Sequence, residues 1–398
     1  MSEKYIHRTC PCFGWDIEGI QTWLEDMAAR GFHLEADGAF LGLFSFLKGE
    51  PQSVRYRLTP VKRKRGFFDD SDAPDPEEQE YSEKCGWEYV LRHGTFYIYR
   101  ATDPAARPLH TDPAVQALAL KGLTKQRRQV IVSEVLFWAV YLGLRGSSAV
   151  SVFRSAAVIG PVFVLSMAGL LIWALGGLLA YPIRLETFRK RLLNGDLLEN
   201  RKPWEKNALS VRLLKLVPWV LFAALIVSGL NSWALAYERT PLEQLSKPFP
   251  GAEDLFPGTE PERMNMGDYN TGAAYGNVLS ENLEWNESCT VEGYHVILRV
   301  QCHETRWEWL AKGLAEDFYR YERFRYNGKR FQDLEAPETE LDSVRVFSSY
   351  GVTHVLIQHG NIVIDAVVSI SGKDQHNHWQ LWLEQAEEML LKEWTVDS

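Results

Sequence analysis

The chain has 398 residues, which is enough for two modest soluble domains and a membrane region, and its formal net charge is −9. That charge is unevenly spread: residues 1–129 sum to −1, residues 130–237 to +6 and residues 238–398 to −14. The acidic last part argues against a nucleic-acid-binding protein, because such binding needs clustered cations. The first residues are polar and of mixed charge, so they lack the pattern of a secretory signal peptide.

Residues 17–30 have the pattern of an amphipathic helix. Four apolar side chains recur at the i, i+3, i+4, i+7 spacing of one helix face: Ile20, Trp23, Leu24 and Met27. Asp16 is suited to cap the N-terminus of this helix, and Gly31 is suited to end it. The face formed by the four apolar residues is therefore predicted to pack on a core.

Strand patterns follow at residues 32–36, 40–47 and 54–58, and Lys48–Pro51 predicts a hairpin turn between the last two. A second, similar pattern comes later in the chain. Gly31-Phe32-His33-Leu34 leads to Gly38-Ala39-Phe40, and Gly86-Trp87-Glu88-Tyr89 leads to Gly94-Thr95-Phe96. Each motif follows a helical candidate, the later one at residues 77–85. We predict a duplicated α-β-β unit in residues 1–105, with its helices on one face of an antiparallel sheet.

This part of the chain also resembles a known family. The ordered motifs that carry the resemblance are Trp15-Asp16, Trp23-Leu24, the run from Met27 to Leu34, the Lys48–Pro51 turn, the run from Val54 to Leu58, and the Gly86–Val90 run. Together they resemble the DUF2812 family. The resemblance implies a bacterial membrane protein, often encoded beside a PadR-type transcriptional regulator, with no established molecular activity. The Cys10-Pro11-Cys12 pair and the insert at residues 60–80 depart from that pattern.

The insert places four consecutive basic residues beside a dense acidic run: Lys62, Arg63, Lys64 and Arg65. They are predicted either to lie in a solvated loop or to contact anionic lipid headgroups, at about 1 kcal/mol per basic residue. Cys10 and Cys12, with the distant Cys85, match the spacing of a structural zinc site poorly. We expect reduced thiols and no metal there.

Three membrane spans are predicted after a basic juxtamembrane segment at residues 106–129. They lie near residues 130–150, 156–180 and 213–236. The second span is the clearest, since its 25 residues carry no charge and suffice to cross a hydrocarbon core of about 30 Å. Glu134 is a candidate intramembrane polar residue, although its position at the span's edge is also compatible with the headgroup level.

The basic connector, residues 183–212, sets the predicted orientation. It carries eight Lys and Arg residues, whereas the loop before the second span has only Arg145 and Arg154. The positive-inside rule then places the connector and the N-terminus in the cytoplasm and residues 238–398 outside. Phe188, Leu192 and Leu193 oppose three basic residues, so the connector also reads as a helix lying along the lipid surface through Arg189, Lys190 and Arg191.

The last part is predicted to begin with a Pro-rich acidic linker, residues 238–265, followed by an extracytoplasmic α+β domain, residues 266–398. Its elements run ββ-α-βββ-α, with both helices expected on one side of an antiparallel sheet. Cys289 and Cys302 bracket one strand-like run, so a disulfide between them would need a bend, for which Gly293 is the candidate.

The predicted fold class is therefore α+β soluble domains flanking an α-helical membrane region. The sequence contains no Gly-rich phosphate loop before a helix, no G-x-S-x-G and no H-E-x-x-H. We expect no enzyme, and no catalytic, cofactor-binding or metal-binding residues. The predicted function is that of a multi-pass, membrane-anchored signalling or regulatory accessory protein whose partners are the lipid bilayer and an unidentified protein. The alternative is an accessory subunit of a membrane transport or export assembly.

Overall fold

The structure is a computed structural model, and it describes the residues listed here: 5–38, 43–61, 73–107, 109, 117–118, 120–125, 128–129, 131–133, 135–136, 151–195, 201–256, 259, 261–263, 269–291, 293–325, 331–349, 352–371 and 378–396. The chain divides into two units. The first comprises residues 1–137 with 171–220, and the second comprises residues 138–170 with 221–398. We call the part of the first unit that contains residues 5–109 the leading domain, and the part of the second unit that contains residues 238–396 the trailing domain.

The leading domain contains two units of the same β-α-β-β order. The first consists of β1 (Tyr5–Thr9), α1 (Ile17–Ala29), β2 (Phe32–Gly38) and β3 (Leu43–Lys48). The second consists of β4 (Arg55–Pro60), α2 (Pro76–Lys84), β5 (Glu88–His93) and β6 (Phe96–Ala101). Each unit forms a three-stranded antiparallel sheet, in the order β1-β3-β2 and β4-β6-β5. The predicted α-β-β order recurs in both copies, and each copy gains a strand before its helix. The predicted single sheet is wrong, because each copy forms a sheet of its own.

The two copies agree in backbone detail as well. Gly31 and Gly86 end the helices with φ of 82° and 85°, a conformation that glycine adopts without strain. The strand register then shifts between Leu34 and Ala36 in the first copy and between Tyr89 and Leu91 in the second. The irregularity therefore lies at the same distance from the glycine in each copy. This correspondence supports a duplication.

The predicted hairpin at Lys48–Pro51 is wrong. This segment joins β3 to β4, which belong to different sheets. Its backbone turns toward the end of α1, where the Gly49 amide donates to the Gly31 carbonyl at 2.8 Å and the Gln52 amide donates to the Ala28 carbonyl at 3.1 Å. The turn residues thus close the first repeat and begin the second.

Two long helices follow, α4 (Pro161–Leu193) and α5 (Glu205–Tyr237), after a short α3 (Val152–Arg154) and a π-turn at Ser155–Ile159. Each has 33 residues and so measures about 50 Å, longer than a hydrocarbon core of about 30 Å. Both are long and apolar enough to cross a membrane. The charge-free stretch ends at Ile183 in α4 and begins at Leu216 in α5, so both helices project charged ends beyond it.

The first predicted span is left open. The described residues between 117 and 136 are helical, but Glu134 and residues 137–150 lie outside the described residues. Two helices, and not three, therefore have the length and composition of spans within the described part of the chain.

The trailing domain is built on a nine-stranded sheet, with its main path ordered β12-β13-β14-β15-β11-β10-β9-β7 and β8 paired to β10. The strands are β7 (Thr240–Pro241), β8 (Glu262–Arg263), β9 (Thr271–Asn277), β10 (Ser280–Val291), β11 (Tyr294–Thr305), β12 (Phe331–Leu334), β13 (Ser343–Ser349), β14 (Val352–His359) and β15 (Ile362–Ser371). The helices are α6 (Ala252–Leu255), α7 (Glu308–Arg325) and α8 (His378–Val396).

The two long helices of this domain cover opposite faces of the sheet, so the prediction that they share one side is wrong. Leu356 of β14 packs in a cluster with Leu314 and Phe318 of α7. Its neighbours in sequence, Val355 and Ile357, pack in another cluster with α8. Successive side chains of a strand point to opposite faces. Each face therefore has its own helix.

The strands near the two cysteines also differ from the prediction. Cys289 lies on β10 and Cys302 on β11, and these two strands form a hairpin closed at Gly293, whose φ is 84°. The expected bend is present, but the register places Cys289 opposite Val296. Cys302 is six residues further along that strand, about 20 Å away at 3.3 Å per residue. Neither thiol is disulfide-bonded in the described part of the chain, so the possible disulfide between them is not formed.

The segment predicted as a linker, residues 238–265, contributes to the trailing domain's core. Phe249 is fully buried, and its ring meets the ring of Trp285 edge to face. The Trp382 indole of α8 donates to the Pro250 carbonyl at 2.9 Å. This segment therefore packs on the trailing domain through buried residues such as Phe249 and Pro250.

Candidate functional sites at the ends of the two long apolar helices

The C-terminal end of α4 is packed into the leading domain. Leu185 and Leu192 are buried in the same apolar cluster as α1 and both small sheets, and Phe188 packs against that cluster. These side chains recur at helical spacing, so α4 carries one apolar stripe beyond the end of its charge-free stretch. The predicted surface helix is instead the last turns of α4. Of its predicted apolar face, Leu192 is buried and Phe188 is packed in the leading domain, whereas Leu193 is exposed.

The loop between α4 and α5 is held by acidic side chains of α1. Arg201 pairs with Asp26 at 2.6 Å, and Lys202 pairs with Asp16 at 2.6 Å. The second carboxylate oxygen of Asp26 accepts from the Trp204 indole at 2.8 Å. These partners lie about 180 residues apart in sequence, so the connector is fixed by tertiary contacts. Asp16 also caps α1 as predicted, accepting from the Gly19 amide at 3.2 Å.

The residues predicted to touch lipid have different surroundings. Arg189 pairs with Glu186 on its own helix at 2.6 Å, and Arg191 approaches Glu18 of α1 at 3.5 Å. Lys190 is exposed. The other four predicted lipid contacts, Lys62 to Arg65, lie outside the described residues. Of the three basic residues at the end of α4, Arg191 therefore faces the leading domain, Arg189 pairs within its own helix, and Lys190 is exposed.

The Cys10-Pro11-Cys12 segment is held by α5. The Lys215 ammonium donates to the carbonyl oxygens of Cys10 and Cys12 at 2.8 and 2.9 Å. Both thiols are buried, and a hydrogen bond with the Cys12 thiol lowers the pKa of Cys10, with further help from the Lys215 charge. Cys85 packs in a separate cluster around Trp87. No group of three metal-ligating side chains occurs within the described ranges.

A cavity of about 440 Å³ lies where α1 meets the charged ends of α4 and α5. Its charged lining residues are Asp16, Glu18, Arg184, Arg191 and Lys202. Lining positions on α4 and α5 recur at three- and four-residue intervals, so the cavity follows the cleft between the two helices. Its remaining walls include aromatic side chains at the start of the leading domain, Phe13 and Trp15.

In the trailing domain, a comparable set of contacts holds the segment just before α4. The Asp317 carboxylate of α7 accepts from the backbone amides of Phe153 and Arg154 at 2.8 and 3.2 Å. The Arg154 guanidinium lies over the rings of Phe318 and Tyr321, at 4.9 and 4.7 Å from their centroids. The short helical segment is thereby attached to α7 through both its backbone and its side chains.

Buried polar side chains of β9 and β10 complete this attachment. The Ala157 carbonyl accepts from the amide of Asn277 at 2.6 Å, from the hydroxyl of Ser280 at 2.5 Å and from the amide of Asn282 at 3.1 Å. Three side-chain donors therefore converge on one carbonyl of the π-turn. We call this set, with Asp317, the outer anchor.

His303 of β11 lies behind the outer anchor. Its Nδ1 is 2.7 Å from the Asn282 side-chain oxygen, and because that oxygen accepts, Nδ1 carries the proton. Complete burial lowers the pKa of His303 to about 3, and the nearby Arg154 charge acts in the same direction. The imidazole is therefore neutral at physiological pH and orients Asn282 toward the helix segment.

Sequence reasoning missed the outer anchor, because Ser280 and Asn282 share one face of β10 with Glu284, Asn286 and Ser288, and such a polar face is typical of solvent exposure. In the structure both Ser280 and Asn282 are buried. A polar pair on a buried face requires partners, and here the partner is backbone from a segment more than 120 residues earlier. The contacts at both ends of the helices position structural elements and expose no paired acid and base.

The chain was compared with known proteins. Residues 16–132 match the model of a family described as a protein of unknown function, DUF2812. The comparison with curated proteins found no match, and the comparison with solved structures found none. The matched range begins at the Asp16 cap and includes α1, the second repeat and the helical residues that follow. Residues 16–132 of this chain are therefore assigned to the DUF2812 family.

Proposed function

We propose that this protein is a non-enzymatic, membrane-anchored signalling or regulatory accessory protein. In this scheme the leading domain is cytoplasmic and binds a protein partner, while the trailing domain is extracytoplasmic and senses a ligand or an envelope component. The two helices would transmit a change in one domain to the other. The proposal rests on architecture, because the residues described supply no set of groups arranged for a reaction.

One observation carries the proposal: the same helix, α4, is attached at both ends. The outer anchor holds the segment directly before it through Asp317 and the Ala157 carbonyl. Its other end is buried in the leading domain through Leu185 and Leu192. A helix fixed at both ends transmits displacement and rotation, whereas a flexible linker at either end would absorb them.

The orientation follows from the charges. The connector between α4 and α5 is basic, and the apolar stretches of both helices end beside it. The positive-inside rule assigns this end to the cytoplasm and favours a cytoplasmic leading domain. The acidic trailing domain belongs to the unit that contains the other ends of both helices.

The test is hydrogen exchange on the full-length chain in lipid nanodiscs. Asp317→Ala removes two hydrogen bonds to backbone amides, a loss of roughly 1–3 kcal/mol at the outer anchor. If α4 couples the domains, exchange should rise in residues 152–160 and also in α1 and the last turns of α4. The matched control is Glu308→Ala on the same helix, whose exposed pair with Lys312 should leave both regions unchanged.

An increase confined to the trailing domain would contradict the proposal, because the helices would then serve only as an anchor. In that event a stoichiometric membrane partner retained in detergent would favour the alternative, a subunit of a transport or export assembly.

A further inference from the structure

We infer that the cavity between α1, α4 and α5 is a binding site for an organic phosphate, and that its occupant is the headgroup of an anionic phospholipid in the cytoplasmic leaflet. This inference rests on the part of the proposed function that places α4 and α5 across the membrane with the connector inside. It does not depend on signalling.

The first argument is position. Arg184 is the first charged residue after the charge-free stretch of α4, and Leu214 precedes the charge-free stretch of α5 by two residues. Both line the cavity. The boundary between hydrocarbon and headgroups therefore falls at the end of the cavity that these two residues form, which is the level of a phospholipid phosphate.

The second argument is charge. Three cations line the cavity, and two of them are already opposed by carboxylates: Lys202 by Asp16 and Arg191 by Glu18. Arg184 is exposed, and among the described residues it forms no ion pair or hydrogen bond. Its guanidinium is left to pair with an oxyanion, and phosphate oxygens match its geometry well.

The third argument is the mixed chemistry of the walls. Ser210 and Asn207 of α5 offer neutral donors, while Phe13 and Trp15 form a stacked pair with ring centroids 4.4 Å apart. The rings of Trp15 and Tyr181 also meet at 83°, with centroids 5.9 Å apart, near the end of the charge-free stretch of α4. Aromatic rings with polar tips are enriched at this level of a bilayer. The volume of about 440 Å³ lies within the usual range for small-molecule sites.

The test is native mass spectrometry of the full-length chain, delipidated in a non-ionic detergent. The probes are phosphatidylglycerol, phosphatidylcholine with the same acyl chains, and soluble glycerol phosphate. We expect one phosphatidylglycerol bound more tightly than phosphatidylcholine. Arg184→Gln should weaken that binding about fivefold, the effect of one cation near an anionic headgroup.

Lys190→Gln is the matched control, because Lys190 is exposed on the same helix and does not line the cavity. It removes the same charge and should leave affinity unchanged. Equal losses in the two variants, or equal binding of the two lipids, would overturn the site. Glycerol phosphate binding as tightly as phosphatidylglycerol would overturn the lipid assignment and identify a soluble phosphate ester as the occupant. None of these results depends on coupling between the domains. The lipid-binding proposal and the proposed signalling function can therefore be contradicted independently, the first by mass spectrometry and the second by hydrogen exchange.

Discussion

The buried His303 side chain makes the stability of the trailing domain depend on pH. Its imidazole is fully buried beside Phe318, and its ring Nε2 lacks a hydrogen-bond partner among the described atoms. Burial lowers its pKa from 6.5 to about 3, so the unfolded chain binds a proton at a pH where the folded chain does not. The neutral form therefore contributes stability that is complete above about pH 6.5 and declines as the pH falls toward 3.

We predict that the trailing domain loses about 1.4 kcal/mol per pH unit through His303 below pH 6.5, or about 2 kcal/mol by pH 5. His303→Asn keeps a donor near the position of Nδ1 but cannot titrate, so its unfolding free energy should fall less steeply with acidification. Urea unfolding of the full chain in detergent, at pH 7.5 and pH 5, measures the difference.

The control is His295→Asn, because His295 is half-buried on the same strand and does not contact the outer anchor. If both variants change the pH slope equally, the effect belongs to histidine content and not to His303. An unchanged slope in His303→Asn would mean that the imidazole is hydrated in solution.

Single residues were predictable from sequence where their role is local. The Asp16 cap needed only its place before an apolar periodicity, and the glycine at the end of α1 needed only its place after it. Asp26 and Asp317 could not be recognised in this way. Their partners lie more than 160 residues away, and nothing in the neighbouring sequence distinguishes them from solvent-exposed carboxylates.

At the scale of elements, α1 is the helix of the leading domain that holds the connector between α4 and α5. One face of α1 is buried against the two sheets, and its acidic side holds the connector. The Asp26 carboxylate has the most contacts there, since it accepts from both Arg201 and Trp204. We therefore expect the connector to be released when this one side chain is shortened.

Asp26→Ala should lower the free energy of local opening of the connector by about 1–2 kcal/mol. Trypsin cleavage at the Arg201–Lys202 bond should then accelerate about tenfold, provided that opening is fast relative to cleavage. The measurement is limited proteolysis of the full chain in detergent. Glu80→Ala breaks an exposed ion pair with Lys84 on α2 and should leave the rate unchanged. Equal cleavage in all three proteins would show that the apolar contacts of α4 alone hold the connector.

The elements predicted best are those with a strong apolar periodicity. The elements predicted worst are those whose arrangement depends on which strands pair. The helix pattern at residues 17–30 corresponds to α1, and the repeat was visible in glycine-aromatic motifs. The Lys48–Pro51 turn misled because turn residues do not specify which strands pair. The placement of α7 and α8 on opposite faces of the sheet is reflected in β14. Its residues from His354 to Gln358 are buried at every position, which requires that both faces of the strand are covered.

For the whole molecule, composition indicated the positions of the apolar helices in the sequence but not their contacts with the leading domain. The charge-free stretches identified α4 and α5, yet both helices continue past them into the leading domain. Basic residues near a membrane suggested lipid contact, and several of them instead meet carboxylates of α1. Hydropathy does not distinguish a helix end that lies on lipid from one that lies on protein, because the same amphipathic pattern suits both.

The orientation itself remains a prediction, and the structure determines how it should be measured. Four of the five natural cysteines are buried and Cys85 is half-buried, so thiol reagents would report poorly on the unsubstituted chain. Exposed positions serve better. Glu80 lies on α2 of the leading domain and Glu388 on α8 of the trailing domain, and their side chains are 67% and 65% exposed.

Glu80→Cys and Glu388→Cys should therefore be compared in intact cells with a membrane-impermeant maleimide, using the unsubstituted chain as background. With the connector inside, Glu388→Cys should label in intact cells and Glu80→Cys only after lysis. If both label in intact cells, both domains face outward and a relay across the membrane is excluded. If neither labels until lysis, the trailing domain is cytoplasmic, and α4 and α5 would not place the two domains on opposite sides. Labelling of Glu80→Cys alone would reverse the orientation and move the cationic cavity to the outer leaflet.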